Sequence, residues 1–169
     1  MTRRIRAGAS ALAFLFLVSC AEGPGGDSGN SAGFRADYLA SRGALESGDY
    51  ALAARRYARL MERAGPLRPR IRLEYAHALL RGDRFAEAAD EAGTLAAAQT
   101  GPGRAAALAV EGTALHEMAL RTPGPDGAGL LRRAGAALSE VVERHPELDP
   151  IGTLAARHAR IEAALARRG

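Results

Sequence analysis

The 169-residue chain has one cysteine, no tryptophan, no lysine and one asparagine. A single cysteine leaves an unpaired thiol, so no disulfide within the chain can staple the fold. Aromatics make up 5% of residues and none is interleaved with a basic run, so the footprint of a nucleic-acid binder is missing. Val and Ile are sparse and no stretch alternates apolar with polar residues, so strands are not expected. Without strands there is no Gly-rich strand-to-helix loop to cradle a phosphate, and no nucleophile elbow to present a serine. The N-terminal apolar run covers about residues 7 to 18, well short of the roughly 20 residues that a membrane-spanning helix needs.

The formal charge of +4 comes from 23 arginines against 19 acidic residues. Arg3, Arg4 and Arg6 precede the apolar run, so 20 arginines remain downstream of it and that part of the chain is close to neutral. Arginine without lysine, amid abundant Ala and Gly, matches a GC-rich coding bias better than a functional demand.

The N-terminus has the three parts of a secretory signal over residues 1–19: positive charge, an apolar stretch ending near Val18, and the small Ser19. Within it, Leu17-Val18-Ser19-Cys20 resembles the lipobox of bacterial lipoproteins. The resemblance implies that Cys20 becomes the mature N-terminus and the site of lipid attachment. The rival is an ordinary signal with an incidental cysteine, which would leave a free thiol in an oxidising compartment. Two or more acyl chains, at about 0.8 kcal/mol per buried methylene, anchor stably. Ala21 stands where an Asp would imply retention in the inner membrane, which favours the periplasmic face of the outer membrane.

Residues 21–33, AEGPGGDSGNSAG, carry no large apolar side chain and read as a flexible tether behind Cys20. Its average reach is about 20 Å, from 5–6 Å × √n. Residues 34–169 are long enough for one domain with its own core. Ala and Leu recur there at spacings of three and four, which predicts an all-α domain. Breaks are expected at Gly65-Pro66, Thr100–Gly103, Thr122–Gly129 and Pro146–Pro150.

The helical pattern repeats at a spacing of 35. Tyr50, Ala53 and Leu60 align with Phe85, Ala88 and Leu95. This aromatic, small and apolar series resembles the second helix of a tetratricopeptide repeat, and Tyr75-Ala76-His77-Ala78-Leu79 resembles its first helix. Gly112 and Leu115, then Ala134, Leu138 and Val141, suit a third, degenerate unit interrupted by a loop-like TPGPDGAG insertion at 122–129. Ile151–Arg168 places Leu154, His158, Ile161 and Leu165 on one face, as a capping helix does. The expected fold is therefore a short tetratricopeptide-like solenoid of about three repeats plus a cap, with a plain helical bundle as the rival.

Chemistry has little support. His116-Glu117 opens like a zinc-protease motif, but Leu120 stands where the second His is required. His77, His116, His145 and His158 have no close-spaced partner, and Asp90-Glu91 reads as a solvated helix face. No metal, no cofactor and no enzymatic activity is expected. In the tetratricopeptide family the first helix of each unit lines a concave groove. Carried over, the groove would comprise Arg35, Tyr38 and Arg42, then Arg70, Leu73, His77 and Arg81, then Thr113 and His116. Four arginines on one wall would favour an acidic or C-terminal peptide. The Lys and Asn of the family's carboxylate clamp are missing.

These features are similar to the accessory, pilotin-like lipoproteins of secretion and pilus machines, the small tetratricopeptide lipoprotein of tight-adherence pili included. The resemblance implies a protein-interaction scaffold in the periplasm, membrane-attached through its lipid, with a secretin or pilus component as partner and no role for nucleic acid. The alternatives are an assembly factor for outer-membrane barrels or the cell wall, and, more remotely, a cell-wall enzyme.

Overall fold

A computed structural model describes residues 28–167. The expected signal peptide at 1–19, Cys20, residues 21–27 of the expected tether, Arg168 and Gly169 lie outside the described residues. Seven α-helices follow in order: α1 (Ser28–Glu46), α2 (Tyr50–Glu62), α3 (Arg68–Arg81), α4 (Phe85–Ala98), α5 (Gly101–Arg121), α6 (Gly124–Arg144) and α7 (Thr153–Ala166). Short 3-10 turns at Gly65–Leu67 and Pro146–Leu148 precede α3 and α7, and no strand occurs among the described residues. The protein is all-α.

The 35-residue spacing extends into the backbone of the first two helix pairs. α2 and α4 begin at Tyr50 and Phe85, the aligned aromatics. Ala53 and Ala88 are fully buried where the helices approach, and Leu60 and Leu95 fill the layer beneath. The two hairpin turns close in the same way. Asp49 N–H donates to the Ala44 carbonyl at 2.9 Å, and Arg84 N–H to the Leu79 carbonyl at 3.0 Å. Gly48 (φ 82°) and Asp83 (φ 60°) occupy the left-handed position of each turn. Asp is among the few non-Gly residues that visit this region readily, so the second turn manages without glycine. Asp49 also caps α2, accepting from Leu52 N–H at 3.0 Å.

Each helix packs on its neighbours in the chain, and α5 also touches α3 and α7. A core of Tyr57, Leu60, Ile71, Leu79, Leu115, Leu138 and Ile161 runs through the stack. A second cluster of Leu95, Leu108 and Val141 lies between α4, α5 and α6. Small residues fill the crossings: Ala53, Ala76, Ala105, Ala114 and Ala134 have no exposed surface. Gly112 sits at the closest approach of α5 to α6, where a Cβ would come within 2.7 Å of Leu138 Cγ.

Three boundaries differ from the expected ones. TPGPDGAG is not a loop: the connection is Thr122-Pro123, and Gly124–Gly129 forms the first turns of α6. Proline in the first turn lacks an N–H that has no helical partner there anyway, and Pro125 takes that place. Gly127 is required because a Cβ would overlap the Thr122 carbonyl oxygen. The extra residues of the third pair therefore lengthen its helices to 21 residues each. The same N-terminal proline logic puts Gly101–Gly103 inside α5, with Pro102 in its first turn. At the other end, α1 begins at Ser28, so residues 28–33 of the expected tether are helical. Phe34 and Tyr38 pack against the core, and once they fix the helix each added residue gains a backbone bond at small cost.

α7 packs its apolar face inward against α6 and α5. Ile161 is fully buried, Leu154 and Leu165 pack beside it, and Ala156, Ala159, Glu162 and Ala163 face solvent.

Candidate functional site

Arg35, Tyr38 and Arg42 recur at helical spacing on one face of α1, and Arg70, Leu73, His77 and Arg81 on α3. The structure gathers three of the nine expected groove residues around one cleft. Arg35, Tyr38 and Arg70, with Phe34, Leu67 and Ile71, enclose about 480 Å³ between α1 and α3. The Tyr38 ring stands edge-on to the buried Tyr57, with centroids 6.4 Å apart. Its hydroxyl donates to Glu74 Oε1 at 3.3 Å. The Arg70 guanidinium lies 6.0 Å from the Tyr38 ring centre. The tyrosine is thus held from three sides, and its exposed edge forms part of an apolar floor.

The other expected groove residues are used differently. Arg42 is committed to carboxylates, bonding Glu46 at 2.8 Å and Glu74 at 3.5 Å. Arg81 donates to the Tyr50 hydroxyl at 2.6 Å and stacks 5.0 Å above that ring, locking α3 to the start of α2. Among the described residues, only Arg35 and Arg70 of the four arginines have neither an ion pair nor a hydrogen bond. Arg35 without an ion pair, Arg70 held over the Tyr38 ring and one shared carboxylate replace the uniformly basic wall expected from sequence.

Leu73 turns inward against the second core cluster. Thr113 is half-buried on α5. His77 exposes more than a third of its surface, yet the protein mass around it lowers its pKa by desolvation, with Arg81 and Arg42 adding repulsion against Glu74.

His116 is not a groove residue: it is 7% exposed and covered by α7. Arg157 Nη1 donates to its Nδ1 at 2.7 Å and also reaches Glu117 Oε1 at 2.7 Å. Burial is the main cause of its lowered pKa, followed by the Arg157 charge. A neutral ring accepting from an arginine is a structural element, and it explains why the expected groove stops at α5.

Glu74 is the residue that sequence reasoning missed. It lies on α3 between Leu73 and Tyr75, four positions after Arg70, and accepts from both Tyr38 and Arg42 of α1. Its helical register with Arg70 was visible in the sequence, but its partners are 36 and 32 residues away. Glu91 is likewise not simply solvated, since it pairs with Arg72 of α3 at 2.9 Å, while Asp90 is exposed. No three His, Cys, Asp or Glu side chains gather to hold a metal ion among the described residues. None of the described helices is long and apolar enough to cross a membrane. No protein-family model, curated protein or solved structure matches the chain.

Proposed function

We propose that this chain is a lipid-anchored adaptor of the bacterial outer membrane, whose stacked helix pairs are tetratricopeptide-like repeats that hold another envelope protein. The observation that carries the adaptor reading is the α1–α3 cleft. A preformed apolar floor with two unpaired arginines at its rim suits a peptide that presents one apolar side chain and one or two carboxylates. The repeat reading draws support from the identical closure of the two hairpin turns 35 residues apart. The address rests on Leu17-Val18-Ser19-Cys20, and a pilus or secretion component is the partner that this combination of anchor and small helical stack favours.

The roles divide between the parts. The lipid on Cys20 fixes the protein to the membrane, the short linker sets its reach, and confinement raises the effective concentration of the cleft near membrane-bound partners. Chemistry at a catalytic centre has no part in this scheme.

The test is covalent crosslinking in intact cells with a C-terminally tagged chain, followed by mass spectrometry. A secretin or pilus component captured by the native chain, and lost with Arg35→Glu/Arg70→Glu, would support the adaptor role and the cleft together. Capture of a barrel-assembly component would move the role to outer-membrane biogenesis. Cys20→Ala should abolish labelling by a radioactive fatty acid and release the protein from the membrane fraction. A Cys20→Ala protein that still labels would refute the anchor.

A further inference from the structure

A larger cleft, of about 770 Å³, lies at the opposite end of the stack, bounded by the last turns of α5, the Thr122-Pro123 connection and α7. Arg121, Arg157, Arg160 and Arg167 border it, against Glu117 as its one carboxylate. Two of these cations are already occupied. Arg121 lies 4.3 Å above the Phe85 ring, and Arg157 is bound to Glu117 and His116. Arg157 therefore neutralises Glu117, and the neutral His116 adds no charge. Arg160 and Arg167 are exposed and, among the described residues, unpaired. The lining of the cleft thus sets four arginines against one carboxylate.

The spacing of the free pair decides what it can bind. Arg160, Ala163, Ala164 and Arg167 recur at three and four, so they share one stripe that runs along α7 to its C-cap, Arg167. Seven residues at 1.5 Å each place the two arginines about 10 Å apart along the axis. With their side chains extended, the two guanidinium groups can each engage a separate carboxylate across that separation. Between them the floor is small and apolar, formed by Ala163 and Ala164 over the buried Leu131, with Leu120 67% exposed at the rim. Small residues in a helix face allow another helix to approach closely.

We propose that this trough is a second docking site, which takes an acidic helical segment of a partner protein carrying two carboxylates one to two turns apart with apolar residues between them. Glutamates at i and i+7 of such a helix span the same distance of about 10 Å. Each would meet one arginine, while its small apolar face lies on the alanines and beside Leu120. The site uses no residue of the α1–α3 cleft and does not depend on the compartment in which the protein works. With both sites occupied, the stack would hold two segments at once.

The test is fluorescence anisotropy on the full chain in neutral detergent, with a labelled helical peptide bearing glutamates at i and i+7 around alanine and leucine. The expected result is saturable binding that weakens at least about tenfold with Arg160→Glu/Arg167→Glu. It should weaken similarly when the peptide glutamates become glutamines, and stay within about twofold for Arg55→Glu/Arg132→Glu, two exposed arginines that line neither cleft. Arg160→Gln and Arg167→Gln singly should each give a smaller, salt-sensitive loss. Because both arginines are exposed and unpaired, circular dichroism melts of these variants should match the native chain, so a loss reports on binding. Equal binding of the glutamine peptide would overturn the proposal. So would full displacement by millimolar inorganic phosphate, which would mark a simple anion site. Arginine-dependent binding to phosphatidylglycerol vesicles with no binding of the peptide would assign the trough to a membrane surface instead.

Discussion

The crossing of α5 and α6 rests on a missing side chain, and adding one methyl group tests it. Gly112→Ala should by helix propensity stabilise the chain by about 0.5–1 kcal/mol. The added Cβ, however, would lie 2.7 Å from Leu138 Cγ, 2.9 Å from Leu138 Cδ2 and 3.2 Å from the Ala134 carbonyl oxygen. Leu138 has no exposed surface and no room to swing aside, and the carbonyl belongs to backbone. Overpacking of this kind costs about 1–3 kcal/mol, so the steric term wins and the net loss is about 1–2 kcal/mol. At roughly 2–4 °C per kcal/mol for a chain of this size, the melting temperature should fall by about 2–8 °C. Gly43→Ala on α1 is the matched control, because nothing lies within 4 Å of its added Cβ. It should raise the melting temperature by about 1–4 °C. Leu138→Ala alone should cost about 2–5 kcal/mol through the cavity it leaves. Combined with Gly112→Ala it should cost at least about 1 kcal/mol less than the sum, since the new methyl then occupies vacated space. Thermal melts and urea titrations followed by far-UV circular dichroism measure all four. A Gly112→Ala protein as stable as the native one would refute the close crossing.

Other perturbations give distinct signatures. The Tyr57 hydroxyl is buried without a hydrogen-bond partner among the described residues, so Tyr57→Phe should leave the protein as stable or about 1 kcal/mol more stable by urea titration; a loss above that size would mean the hydroxyl is satisfied. His116 has a folded pKa below its ordinary value near 6.5, faced by Arg157 and Arg160 from α7 and by Glu117 on its own helix. In the window below 6.5 the unfolded chain binds the extra proton, so the stability contribution is complete above that value and is lost as pH falls toward the folded pKa. Comparing denaturation of the native chain and His116→Gln from pH 7.5 down to about 5 should show the native chain losing ground to the variant on acidification. Parallel curves would show that His116 does not titrate differently in the two states.

The sequence alone determined the helices and the inward face of the last one, because these depend on groups within a few residues of each other. Apolar residues at three and four and the aromatics Tyr50 and Phe85 are local signals, and α2 and α4 begin at those two aromatics. The TPGPDGAG segment was misjudged for an equally local reason. Its Gly and Pro residues signal a break, yet proline suits a first helical turn and Gly127 is demanded by the Thr122 carbonyl of the connection just before α6. The tetratricopeptide resemblance grouped Arg35, Tyr38 and Arg70 in one groove, and the structure sets these three beside one cleft.

Tertiary structure decided which of the candidate residues are free to bind. Arg42 and Tyr38 find Glu74 32 and 36 residues away, Arg81 finds Tyr50, and Arg157 reaches back 41 residues to cover His116. Whether an arginine on a helix face is a ligand or half of an ion pair depends on what the next helix brings opposite it. That juxtaposition is set by the stacking of helices whose alanine faces let them approach closely, and no spacing within one helix records it.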